Sequence, residues 1–254
     1  MRPGRLVFGL HAGVAAAIAV TGRRVAAGRL YNTSGGISRA AVFGCYPTAV
    51  AAAAVLPYAQ RRRLAAAAYP LCATLALPGM VDEHDLNPRA RNALPLLGVL
   101  LAVAAGETTG SDPVVPPASH VVIGGVLAAV SLPWVLAELG VQTAGMRMPT
   151  AAEPGVDRVH VGHHEGLDGV LLAVDGLLLE PHARSRAHRL YLALMVTYGT
   201  AVAAQDAWHE QVVKRGWASR RLPDVARPRP SLAWAALLAA TPLVERLIGR
   251  GRPA

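Results

Sequence analysis

The sequence predicts an all-α, polytopic integral membrane protein with about eight transmembrane helices, or seven if residues 167–179 are re-entrant or the first span is cleaved. Three observations predict it. Charged residues make up only 16% of the 254 residues while hydrophobic residues make up 53%, and soluble domains carry about 25% charge. Several apolar runs approach the roughly 20 residues that cross a bilayer. Lys214 is the only lysine, and the arginines lie mainly between the runs, where such residues anchor helices at the headgroups.

The net charge of +9 raises nucleic acid as a partner. The basic loops lack interleaved aromatics and any nucleic-acid module, so nucleic acid is excluded from the expected partners. Those are the lipid bilayer and anionic headgroups at the arginine-rich loops, and the expected location is the cell membrane, multi-pass. Connections are mostly short, so residues 1–254 read as a single transmembrane helical domain.

The first span, residues 6–22, follows a basic start and contains Ala17-Ile-Ala19, as a cleavable signal peptide would. His11 interrupts its apolar region and further spans follow, which favours retention. Gly9 and Gly13 form a GxxxG pair of the kind that lets helices approach closely. Span two covers 40–58 with Pro47 and Pro57, span three 64–81 with Pro70 and Pro78, span four 92–106 with Pro95, and span five 121–141 with Pro133. Span six, 167–179, has roughly 13 residues and contains Asp175; a piece this short reads equally as a re-entrant or buried half-helix. Spans seven and eight cover 190–204 and 232–248, the latter with Pro242. Membrane helices tolerate proline where neighbours or cavity water satisfy the freed carbonyls. Cys45 and Cys72 fall inside apolar runs without CxxC spacing, and read as small hydrophobes.

Eight spans place 14 of the 25 basic residues in the odd-numbered connections and 11 elsewhere. The small excess orients those connections towards the cytoplasm.

The chemistry concentrates in His160-Val-Gly-His163-His164-Glu165-Gly-Leu-Asp168-Gly. Two further segments join histidine to carboxylates: Asp82-Glu83-His84-Asp85 and Asp206-Ala-Trp-His209-Glu210. With eight spans, all three lie on one membrane face. On a helix that starts before the membrane, His160, His164, Asp168 and Asp175 fall within about 80 degrees of one another. Acids cost about 2.5 to 3.5 kcal/mol to bring into hydrocarbon and usually face a bundle interior, so this stripe is expected to point inward.

Imidazole with carboxylate suits a divalent metal: zinc, iron or manganese. The order His164-Glu165-x-x-Asp168 resembles the HExxH helix of zinc metalloproteases with aspartate for the second histidine. Leu167-Asp168-Gly169 resembles the LDG element of intramembrane metalloproteases, and His160-x-x-His163-His164 resembles the HxxHH box of membrane di-iron desaturases and hydroxylases. No complete HExxH occurs, and only one such box. The expected arrangement is a metal held by His160, His164, Asp168 and Asp175, with Glu165 as general base for metal-bound water and Asp206 and His209 orienting a ligand or substrate. That describes a membrane metalloenzyme acting on a lipid or other amphipathic substrate.

The alternatives are a proton- or cation-coupled carrier using Asp168, Asp175, Glu138 and nearby histidines, and a non-catalytic scaffold whose polar clusters solvate at the headgroups. His11, Glu180 and Glu245 are further ionisable residues in or beside apolar runs, and Glu245 next to Arg246 suggests a local snorkelling arrangement. His182 and His188 belong to an arginine-rich connection on the opposite face and stay outside the site.

Overall fold

The computed structural model describes residues 3–24, 36–77, 79–80, 89–107, 116–138, 147–150, 153–159, 164–213, 216–226 and 228–249. All eight apolar runs are helical: α1 (Pro3–Arg24), α2 (Gly36–Cys45) running into α3 (Pro47–Val55), α4 (Arg62–Ala73), α5 (Ala93–Ala105), α6 (Ala118–Glu138), α7 (His164–Leu179), α8 (Arg186–Ala207) and α9 (Leu232–Ile248). Outside the helices, β1 (Arg147–Thr150) and β2 (Glu153–Val159) form an antiparallel hairpin that periodicity did not predict.

Successive helices alternate in direction. The side-chain and backbone contacts at their ends make this explicit. Gly4 N–H, at the start of α1, donates to Glu107 just after α5; the backbone after α3 pairs with the end of α5 through Arg61 N–H to Ala105 O. Tyr58 donates to the His182 carbonyl in the α7–α8 connection, and His120 near the start of α6 contacts the carbonyls of Leu177 and Ile248. All these groups share one end, called proximal here, where α1 starts and α9 finishes. The starts of α7 and α9 and the end of α8 therefore lie at the opposite, distal end.

The centre is the α7–α8 hairpin. A Cβ placed on Gly169 would lie 2.5 Å from the Gly199 carbonyl oxygen and 2.9 Å from the Ala203 nitrogen, and one on Gly176 would lie 2.8 Å from the Leu192 carbonyl oxygen. The two backbones thus touch, and only glycine at these positions allows it. The GxxxG pair of α1 does nothing comparable: Gly9 and Gly13 have open space where a Cβ would stand.

Several ionisable groups lie inside an otherwise apolar core, while apolar side chains also cover the outer helices. His11, Glu165, Asp168, Asp175, Glu180 and Asp206 are buried, whereas Leu97, Leu100, Val122, Val126, Leu238 and Leu243 on α5, α6 and α9 are exposed. Among the described residues one helical segment, Ala40–Tyr58, is long and apolar enough to cross a membrane; Gly4–Val20, Ala90–Ala105 and Ala118–Ala129 are apolar but shorter. Eight separate crossings are therefore not established by helix length.

Gly199→Ala is expected to force the hairpin backbones apart and lose about 3 kcal/mol or more, whereas Gly9→Ala and Gly13→Ala are neutral to slightly stabilising. Thermal unfolding of the three variants in one detergent checks the contrast.

Candidate functional site

Pro47 starts the site. It has no N–H, so the Phe43 carbonyl four residues back lacks the usual helical donor and accepts from Tyr46 N–H at 3.4 Å. The Thr48 hydroxyl donates to that carbonyl at 3.3 Å, and its oxygen lies 2.9 Å from His11 Nδ1. With the threonine proton on Phe43, Nδ1 is the donor of the second bond. His11 Nε2 then faces Asp175 Oδ2 at 2.6 Å, with the two side chains 1% and 0% exposed. A single proton shared across that contact would leave the pair neutral overall, the form a low-dielectric interior tolerates. The second oxygen, Oδ1, has no hydrogen-bond partner among the described residues.

Asp175 is the deepest of three buried acids on α7. Glu165, Asp168 and Asp175 are 8%, 4% and 0% exposed, and at 100 degrees per residue they share a face about 80 degrees wide. The antiparallel register set by Gly169 against Ala203 brings the level of Glu165 to Gln205 and Asp206, and Asp206 is buried as well. Glu165, Asp168 and Asp206 thus gather at the distal end, with hydrogen-bonding or electrostatic partners of their own. Gln205 accepts from Val225 N–H at 2.8 Å.

The expected metal ligands divide. His160 and His163 lie outside the described residues, as does the Asp82 to Asp85 segment, and of His164 only the backbone, the first residue of α7, is described. Asp168 and Asp175 are seven residues apart, about 10 Å of helical rise, too far to bind one ion. Asp175 leaves the ligand set for that reason. Among the described residues no group of three or more His, Cys, Asp or Glu side chains is placed to hold a metal. His209 sits in a π-helical turn, Trp208–Val213, and its Nε2 accepts from Leu222 N–H at 2.9 Å. It fastens the following loop.

The proximal end holds a different set. Glu180 is buried, and Glu245 pairs with Arg189 across α8 and α9 at 2.9 Å, instead of locally with Arg246. Both ring nitrogens of His120 face carbonyl oxygens, Leu177 at 3.1 Å and Ile248 at 2.9 Å. Burial pushes His188, in the first turn of α8, below the ordinary histidine value, with Arg184 adding to the effect and the Ala54 carbonyl opposing it. His182 is lowered too, first by burial.

The chain matches no known protein family, no characterised protein and no solved structure. His11 and Thr48 are the residues that sequence reasoning did not join to Asp175. The one available signal was that His11 and Asp175 are each a lone ionisable group inside an apolar run.

Two measurements follow. His11→Leu alone leaves a buried carboxyl without its partner and is expected to cost about 3 to 5 kcal/mol; the His11→Leu/Asp175→Leu double variant is less destabilised than that single variant, a coupling that a double-mutant cycle of unfolding reads. A histidine lowered by burial binds its proton more weakly folded than unfolded. Stability is therefore retained above the unfolded value of about 6.5 and lost as pH falls through it. His188→Phe is expected to remove part of that acid loss in a series of Tm values between about pH 7.5 and 5.5.

Proposed function

We propose that the chain is a multi-pass protein of the cell membrane that carries protons, or a cation exchanged for them, through its core, with His11 and Asp175 as the carrier site. The single observation that supports this reading most is a fully buried histidine–carboxylate pair inside a bundle whose outer helices expose leucine and valine. Ionisable groups inside a membrane bundle mark ion pathways and proton relays more often than they serve packing. The kink at Pro47 supplies the local break in a helix around which such sites are built. Glu165 and Asp168 provide acidic steps between the distal end and Asp175, about 10 Å apart at the longer step.

On this reading the eight helices of alternating direction are eight crossings. Exposed Arg61, Arg62 and Arg63 at one end, with Arg184 and Arg186 beside them, would meet anionic headgroups. The apolar faces of α5, α6 and α9 would meet acyl chains.

A second reading, a membrane metalloenzyme, is favoured by one specific observation. Glu165, Asp168 and Asp206 gather at the end where the chain enters α7 from His160. There His160, His164 and Asp168 would hold zinc, iron or manganese, Glu165 would act as base on metal-bound water, and Asp206 and His209 would orient an amphipathic substrate.

Proteoliposomes separate the readings. Proton or cation flux that Asp175→Asn abolishes and His160→Ala/His164→Ala leaves intact supports the carrier. Bound metal in purified wild type that the double histidine variant loses supports the enzyme. Neither flux nor metal leaves a scaffold. Single cysteines at Glu83 and Glu210 are expected to label from the same side of the membrane, and labelling from opposite sides breaks the eight-crossing topology.

A further inference from the structure

A cavity of about 600 Å³ lies between α3, α4 and α8 and meets Trp234 of α9. It is long in the direction of the helices. Its α8 wall runs from Ser185, at the proximal end, to Tyr198, about 20 Å of helical rise. Its α3 wall runs from Pro57 at the same end back to Tyr46, and the distal limit is the pair Tyr198 and Trp234, their rings 5.4 Å apart. Tyr69 and Ala73 of the α4 wall are also exposed, so the cavity opens sideways onto the outside of the bundle. The polar groups of the inner wall serve the protein itself. Tyr198 donates to the Ala226 carbonyl at 2.7 Å, Tyr46 meets the Tyr198 hydroxyl, and Tyr191 donates to the Val50 carbonyl at 3.0 Å. His188 accepts from Arg184 N–H on Nδ1 and meets the Ala54 carbonyl. No carboxylate, lysine or arginine lines the cavity. A hydrocarbon chain leaves all of these bonds intact and covers the apolar wall.

Charge gathers at the proximal mouth and restricts the occupant further. Arg62, Tyr69 and Ala73 fall within about 40 degrees of one another on α4, so the line of that wall leads to Arg62 two turns nearer the proximal end. Arg62 lies within electrostatic reach of Tyr69. Across the mouth, the Arg184 guanidinium stands over the Tyr58 ring, 5.3 Å from its centroid, beside Pro57 and Ser185 of the cavity wall. Both arginines are exposed. Nearby carboxylates are turned elsewhere: Glu107 accepts from Gly4 N–H, and Glu245 pairs with Arg189. Helices α4 and α8 both begin at this end, and the dipole at a helix start adds to the attraction for an anion. The mouth therefore selects a negative head, and the wall selects an apolar tail. The length agrees as well, because one leaflet of a bilayer about 30 Å thick holds chains about 15 Å deep.

We propose that this cavity is a site for a phospholipid with an anionic headgroup, one acyl chain lying along α8 as far as Trp234 and the phosphate held between Arg62 and Arg184. The site requires the chain to lie in a membrane, as read above; it does not require proton carriage by His11 and Asp175.

The test reconstitutes the full chain into phosphatidylcholine vesicles that contain increasing fractions of phosphatidylglycerol brominated near the end of one acyl chain, or of phosphatidylcholine brominated at the same carbons. Bromine quenches tryptophan at contact, and the difference between wild type and Trp234→Phe isolates Trp234. Quenching by the phosphatidylglycerol is expected to saturate, at a mole fraction about tenfold lower than with the phosphatidylcholine. Arg62→Gln/Arg184→Gln changes two exposed residues and should bring the two lipids onto one curve. Ala73→Phe fills the cavity from an exposed position and should remove the saturable quenching by both. Equal quenching by the two lipids in wild type overturns the site, as does a preference that survives the arginine substitutions or quenching that Ala73→Phe leaves unchanged. Flotation of the vesicles distinguishes the two levels of failure. A chain that floats with them but shows no preference loses this site and keeps its membrane location, and one that does not float loses both.

Discussion

Backbone contact between α7 and α8 at Gly169, Gly176 and Gly199 is the constraint on which the rest of the molecule depends. It fixes the register of the central hairpin, and that register decides which polar groups can meet. Glu165 comes to the level of Gln205 and Asp206 because Gly169 lies against Gly199 and Ala203. A methyl group at any of these glycines separates the helices, since a backbone atom cannot move aside as a side chain can. Helices α3, α6 and α9 then pack on a hairpin whose position is already set. In a bundle rich in alanine and leucine, where side chains interchange easily, such contacts supply the specificity that apolar packing alone does not.

The buried polar chain is a consequence of one missing N–H. Pro47 withholds the usual helical donor from the Phe43 carbonyl, Tyr46 N–H and the Thr48 hydroxyl share it, and the same hydroxyl oxygen meets His11, whose other nitrogen faces Asp175. Each group thereby has its donor or acceptor role determined by the one before it. The kink also joins two regions. Tyr46 lines the aromatic cavity while Thr48, two residues on, holds His11, so a shift of the chain at Pro47 reaches both.

The helices were legible in the sequence because each is an apolar run of distinct length, and composition alone marks such runs. What the sequence hid was set by partners far away in the chain. His11 and Asp175 are 164 residues apart, and nothing in the neighbourhood of either names the other. Glu245 joined Arg189 across two helices despite having Arg246 beside it, because adjacent residues on a helix point in different directions. The GxxxG word in α1 misled for a related reason: small residues permit close approach, but a neighbouring backbone must be there to use it. The aromatic cavity draws its residues from four segments, none of which carries a motif. Asp168 and Asp175 share a helix face, yet angular agreement says nothing about axial distance, and a single ion needs both.

Charge balance restricts what the central pair can do. Moving the shared proton between His11 Nε2 and Asp175 Oδ2 leaves the net charge of the pair at zero. Removing it leaves an unbalanced carboxylate, and adding a second leaves an unbalanced imidazolium; each carries a desolvation cost of several kcal/mol in an interior of low dielectric. An apolar exterior, as α5, α6 and α9 present, raises that cost because it keeps water away from the flanks. Proton loss at this site is therefore favourable only when another positive charge arrives as the proton leaves. The acids at Glu165 and Asp168 are what a cation approaching from the distal end would meet first, and Asp175 Oδ1 is the oxygen left for it at the end of the path. A carrier built on this pair would exchange one charge for another and would not conduct a bare charge.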